Sequence, residues 1–240
     1  MYLNILMLSL LSFFTRIPAK GSIEDASRET FLLPLIALII SIPAALIYYL
    51  LLPLPPQIRS ILAILVIYSI NGLIHLDGLA DFSDGLMVKG DREKKVKALK
   101  DVNTGIAGSF SIIMLILTEI FSLISLRISI FNIFSFFILS EISAKFSMMG
   151  GLLNRPFGEG LGSLFQKNFR ITYMITGIII TLPLFLIFHM YYIISFTGFI
   201  VSAIISYISR INFGMVNGDC LGAMNEISRA VTMVLLCLVL

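Results

Sequence analysis

Long apolar blocks separated by short polar stretches constrain this chain more than any other feature. The apolar runs occupy residues 31–52, 58–76, 106–126, 128–140 (extending to about 150), 171–190, 191–209 and 227–240. A helix needs about 20 apolar residues to cross the hydrocarbon of a bilayer. In lipid every backbone amide and carbonyl must be satisfied within the protein, which leaves helices or a closed barrel. The runs are continuous rather than alternating, which favours helices over a barrel. Composition agrees: 58% of the 240 residues are hydrophobic and 13% charged, with mean hydropathy +1.00. A soluble domain carries about twice that charged share. The expected fold is all-α, a polytopic helical membrane protein with about six to seven spans and a single integral membrane domain over 1–240.

The polar connections set the topology. The turns at 53–57, near 127–130 and near 189–192 are short. The connections at 16–30, 77–105, 141–170 and 210–229 hold 15 of the 17 lysines and arginines and every acid except Glu119. Two apolar runs separate each of these from the next, so the chain returns to one side each time. All four then share one face, and their positive charge makes it the cytoplasmic face of the plasma or inner membrane. Pro34 and Pro43 predict kinks in the first run. Residues 1–14 lack a basic leader and a small-residue cleavage site, and read as an interfacial or re-entrant helix. Cys220 and Cys237 form no motif and predict no disulfide. A net charge of +3 gives no footprint for nucleic acid.

Within the second connection, His75-Leu-Asp-Gly-Leu-Ala-Asp-Phe-Ser-Asp-Gly85 carries Asp77, Asp81 and Asp84 at i, i+4 and i+7. On a helix Asp81 and Asp84 lie about 40° and 20° from Asp77 around the axis. Three like charges on one stripe at a membrane edge call for a cationic partner. A divalent cation bound by carboxylate oxygens is the simplest. Gly78 and Gly85 remove side chains beside the acids, which would admit a bulky ligand. Asp101, just before the next run, reads as a fourth carboxylate of the same site. The plainer alternative is a solvated acidic helix end.

Other segments offer binding groups, each beside a structural reading. Lys145 pairs with Glu141 at i, i+4 or meets a phosphate as a point charge. Arg155 sits in the glycine-rich loop 154–162, whose amides suit phosphate oxygens or a simple turn. Asp219 and Glu226 share a stripe at i, i+7. Asp219 reads as a helix cap or a site residue, and Glu226 can pair with Arg229. The lysine-rich stretch 89–100 suits anionic headgroups or an anionic substrate. His75 faces away from the acids and reads as structural. Glu119 is the one acid that reads as deep. Charges gathered on one face, without an internal repeat, favour an enzyme over a transporter.

Several segments resemble, in order, the cobalamin synthase family, adenosylcobinamide-GDP ribazoletransferase: FFTRIP at 13–18, HLDGLADFSDG at 75–85, KDVNTGIAGS at 100–109, GEGLG at 158–162, and GDCLGA at 218–223 followed by Glu226. The resemblance implies a transferase of cobalamin biosynthesis. It would join adenosylcobinamide-GDP to α-ribazole or α-ribazole 5′-phosphate, release GMP and require Mg2+. Under it, Asp77, Asp81, Asp84, Asp101 and Asp219 are the expected catalytic residues, the first four also as metal ligands. Lys145, Arg155, Glu226, Gly78 and Gly85 are expected to bind substrate. At Lys145 the family pattern commonly has arginine. A CDP-alcohol phosphotransferase also clusters aspartates at helix ends, but here Asp81 follows Ala80 where that pattern needs arginine.

Overall fold

The computed structural model describes residues 2–157 and 160–240, with side chains from residue 7 onward. Every regular element among them is helical. Helices α1 (Tyr2–Phe14) and α2 (Ile23–Arg28) lead through a 3-10 turn into α3 (Leu33–Leu50), and α4 (Pro56–Asn71) packs back along it. Helix α5 (Ile74–Met87) leaves the end of α4 at 96°. There follow α6 (Arg92–Leu99), α7 (Ile106–Ser125), α8 (Ile130–Leu152), α9 (Leu161–Asn168), α10 (Ile171–Thr181) and α11 (Leu184–Phe188). A 3-10 stretch then joins α11 to α12 (Thr197–Phe213), and α13 (Gly218–Val239) ends the chain.

Local chemistry explains the boundaries. Pro34 lies in the first turn of α3, where its missing N–H costs nothing, so only Pro43 sits inside the helix. Pro56 opens α4, and Arg59 donates to the carbonyls of Leu52 and Leu54 at 3.1 and 3.3 Å, closing the proline turn. Gly72, at φ 75°, ends α4 in the left-handed region that favours glycine and makes the elbow into α5. Asp91, Ser129 and Asn217 cap α6, α8 and α13 by accepting backbone amides.

Helix α8 is the axis of the bundle. It is buried nearly all round, against α3, α12 and α13. The outer helices show apolar faces to the surroundings: Ile106, Phe110, Ile113 and Phe121 on α7, and Ile200, Ile204, Tyr207 and Ile211 on α12. Such a belt suits lipid.

Five helical segments are long and apolar enough to cross a membrane: Thr30–Leu50, Ile106–Ser125, Ile130–Leu152, Leu184–Phe213 and Gly218–Val239. The bent pair α4–α5 makes six when counted as one span. The runs at 171–190 and 191–209 do not form a simple hairpin. Helix α10 stops after 11 residues, before Pro183. That length rises about 16 Å, roughly half the hydrocarbon. The run at 227–240 is the second half of α13, which begins nine residues earlier at Gly218.

Candidate functional site

The elbow at Gly72 turns the acidic stripe across the start of α13. The two helices cross at glycines. A Cβ on Gly78 would lie 3.0 Å from both Cα and O of Asp219 and 3.3 Å from Cα of Gly222. One on Gly222 would lie 2.9 Å from the His75 carbonyl. Only a glycine pair permits so close an approach. The crossing brings Asp219 to the stripe. There the charge of Asp219 joins those of Asp77 and Asp84 around Asp81. Asp77 is exposed, whereas Asp81 and Asp219 are half-buried. Asp219 accepts from the Asn217 side chain at 2.7 Å. No lysine or arginine among the described residues forms an ion pair with Asp77 or Asp81.

The structure does not gather the four expected carboxylates around one point. Among the described residues no three Asp, Glu, His or Cys side chains lie close enough to hold a metal ion by themselves. Asp84 serves another helix. Its Oδ2 accepts the Gly105 amide at 2.7 Å and its Oδ1 the Gly108 amide at 2.9 Å. Both amides belong to the start of α7, which has no cap of its own because Gly105 lacks a side chain. Asp101 is exposed. The backbone and side-chain N–H groups of Asn103 hold its carboxyl below the ordinary range. The oxygens of Asp77, Asp81 and Asp219 remain. One or two of them suffice for Mg2+, which characteristically takes one or two carboxylates and completes its shell with substrate phosphate and water.

The substrate-binding expectations divide in the same way. Gly85 packs on Phe213 and Leu99 (2.9 and 3.1 Å from an added Cβ), and Gly78 on α13, so both glycines are used for helix packing. Lys145 and Glu226 are fully buried. They belong to an ion network in the bundle core, where burial demands pairing. Arg229 Nε meets Glu119 at 2.7 Å, its Nη1 meets Glu141 at 3.3 Å, and its Nη2 pairs with Glu226. Tyr68 bridges Arg229 and Glu226 at 2.6 and 2.9 Å. Lys145 donates to Asn225 at 2.8 Å and lies 3.8 Å from Glu141. Glu119 is therefore one of three deep acids. The pairings of Glu141 with Lys145 and of Glu226 with Arg229 were legible as i, i+4 and i, i+3 spacings, but the depth of those two acids was not; Glu119 read as deep from the sequence.

Beside Asp77 and Asp219 opens a cavity of about 380 Å3. The elbow forms one wall with Ile74, His75 and Asp77, and the start of α13 another with Asn217, Gly218 and Asp219. The end of α1 contributes Phe13 and Phe14, and Lys100 and the residues Gly160–Gly162 at the start of α9 complete the rim. Arg16 ties α1 to the elbow: its amide donates to the Ile70 carbonyl at 2.7 Å. The start of α9 reaches α13 through another glycine contact. A Cβ on Gly162 would lie 2.7 Å from the Gly218 nitrogen. Arg155 is exposed and lines an adjoining hollow that shares Phe157 and Met215 with this cavity. Glu159 and Gly158 lie outside the described residues. His75, read from sequence as structural, is a cavity residue, and Phe13, Phe14 and Lys100 join it. Their signal was present: each falls inside or beside one of the motif segments, although only folding shows that those segments meet.

Residues 6–237 match the family model described as Cobalamin-5-phosphate synthase. Among curated proteins, the chain is 42% identical over 234 residues to the adenosylcobinamide-GDP ribazoletransferase of Pyrococcus abyssi, covering 96% of this chain and 97% of that one. It is 43% identical over 230 residues to the protein of the same name from Thermococcus gammatolerans, covering 93% and 94%. The protein of that name from Archaeoglobus fulgidus is 32% identical over 234 residues, covering 94% of each chain. No solved structure gives a significant match.

Proposed function

Because the chain belongs to the cobalamin-5-phosphate synthase family, we propose that it joins adenosylcobinamide-GDP to α-ribazole or α-ribazole 5′-phosphate and releases GMP. The reaction completes the assembly of cobalamin or its phosphate. The observation that carries this reading is convergence. Five segments far apart in sequence contribute to one cavity or to the helix crossing beside it, and two of its edges are carboxylates that form no ion pair.

The chemistry is phosphoryl transfer. A ribazole hydroxyl attacks the phosphorus attached to the corrinoid, an O–P bond forms, and the O–P bond to GMP breaks. Positioning and charge neutralisation dominate such reactions. One or two of Asp77, Asp81 and Asp219 would hold Mg2+, which would supply neutralisation of the diphosphate and of the departing GMP. Lys100, on the cavity rim, attracts the diphosphate as a point charge. Whichever of Asp77 and Asp219 is not engaged takes the proton of the hydroxyl. The glycine crossing holds these groups at a fixed separation, which is how a scaffold lowers the entropic cost of attack. The site faces the cytoplasm, where both soluble substrates arise. A cysteine at Lys94 should then escape an impermeant thiol reagent applied from outside, and one at Arg127 should react.

The decisive experiment is GMP release from GDP-activated corrinoid by the detergent-purified protein at varied Mg2+. Asp81→Asn keeps shape and removes charge. It should lower turnover by about 100- to 1,000-fold, roughly 3–4 kcal/mol, with folding intact. Near-normal turnover with an unchanged Mg2+ requirement would remove Asp81 from the site and return the stripe to a solvated helix end. GMP release by the native protein without any divalent ion would refute the metal.

A further inference from the structure

The cavity beside Asp77 and Asp219 has two kinds of lining. Lys100, Ser163 and Asn217 join the carboxylates as its polar side chains, and most of the rest is apolar, with Phe13, Phe14, Phe157, Phe165, Met148 and Leu152. The aromatic rings form a connected set: Phe13 and Phe165 lie 4.8 Å apart at 33°, Phe14 and Phe165 5.6 Å apart at 78°, and Phe14 and His75 6.1 Å apart at 32°. Rings and methionine sulfur in this arrangement suit a flat apolar guest. Its 380 Å3 lies within the usual span of small-molecule sites. A corrin macrocycle carrying a nucleotide arm is several times larger and must stay outside.

We propose that this cavity seats the bicyclic base of the ribazole substrate, a dimethylbenzimidazole, with its ribose directed to Asp77 and Asp219. The assignment rests on the reaction proposed above and deepens it by saying which substrate occupies which place. Guanine, the other flat base in the reaction, fits less well. Its edge carries several donors and acceptors, and the Asn217 side chain in the lining is already engaged with Asp219 and the Cys220 amide, so against phenylalanine, methionine and leucine most of them would be desolvated. The dimethylated base has no such edge, and its methyl groups gain from burial. His75 lines the cavity beside Phe14 and is 6% exposed, so its ring adds to the flat wall against which such a base stacks. With the base so held, the ribosyl hydroxyl meets the carboxylates while the diphosphate approaches from the open side.

The chain has no tryptophan, so the ultraviolet fluorescence of ribazole can be read against tyrosine alone. The test titrates α-ribazole into purified native protein, Phe165→Leu and Phe157→Ala, without corrinoid, and then measures KM for each substrate. Phe165→Leu keeps apolar volume in the core, and Phe157 is exposed, so its truncation leaves the core filled. Both variants should weaken ribazole binding about tenfold, and removal of both methyls from the base should do the same to the native protein. KM for the corrinoid substrate should stay within about twofold. A shift confined to corrinoid-GDP or GMP would give the cavity to guanine and overturn the proposal, as would absence of ribazole binding by the native protein. Ribazole binding without GMP release would refute the reaction and leave the cavity assignment standing.

Discussion

Asp84 offers the clearest separation of a structural carboxylate from a chemical one. It reaches from α5 to the start of α7, 21 residues on, and binds the Gly105 and Gly108 amides at 2.7 and 2.9 Å. Helix starts leave four amides unpaired, and these are two of them. A hydrogen bond to a charged group contributes about 1.5–3 kcal/mol, and a negative charge at a helix N-terminus adds about 0.3–1 kcal/mol. Asp84 is half-buried, so screening reduces the sum. Asp84→Ala should cost about 2–4 kcal/mol of stability, and Asp84→Asn about half, since one carbonyl acceptor survives. The glycines give an internal control. A Cβ on Gly105 would lie 2.5 Å from Asp84 Oδ1, and one on Gly108 2.5 Å from Oδ2. Gly105→Ala should therefore destabilise the native protein and cost much less once Asp84 is alanine, a strongly non-additive cycle. Cys220 is fully buried, so a fluorogenic thiol reagent during a thermal ramp in detergent reads unfolding. If Asp84→Ala unfolds at the native temperature while raising the Mg2+ concentration needed for turnover, Asp84 is a site ligand and the capping account fails.

Gly78→Ala places a methyl 3.0 Å from the Asp219 backbone. The crossing must open, with about 1–3 kcal/mol lost and a fall in turnover of up to about 100-fold for a 1 Å displacement. Unchanged GMP release would show that the crossing does not position the acids. Arg229→Met strands Glu119, Glu141 and Glu226 in the core; it should destabilise by about 3–5 kcal/mol or prevent insertion, and a native unfolding temperature would refute the network. Burial, and then the charge of Asp25, raise the Glu29 carboxyl from 4.5 to about 7. The fold therefore favours the neutral acid, so native stability relative to Glu29→Gln should match near pH 4 and decline as pH rises through about 7. Parallel pH profiles of the two proteins would refute that burial effect.

Some of this was written in local sequence. Apolar runs specify membrane helices because lipid offers the backbone no partners. The period of the helix put Asp77, Asp81 and Asp84 on one stripe, and α5 is indeed helical through all three. The spacings of Glu141 with Lys145 and Glu226 with Arg229 foretold pairs that form. Depth and partnership were not legible, since both depend on which helix lies opposite. A carboxylate reads the same in sequence whether it meets two amides, as Asp84 does, or an arginine in the core, as Glu226 does. The glycines of 75–85 read as space for a ligand, and the fold used Gly78 to let α13 approach. His75 and Phe14 became neighbours only when the elbow at Gly72 folded α5 back toward α1. Periodicity is a property of one helix and is carried by the chain alone. A site is a property of helix crossings, and crossings are decided by shape complementarity between surfaces far apart in the chain.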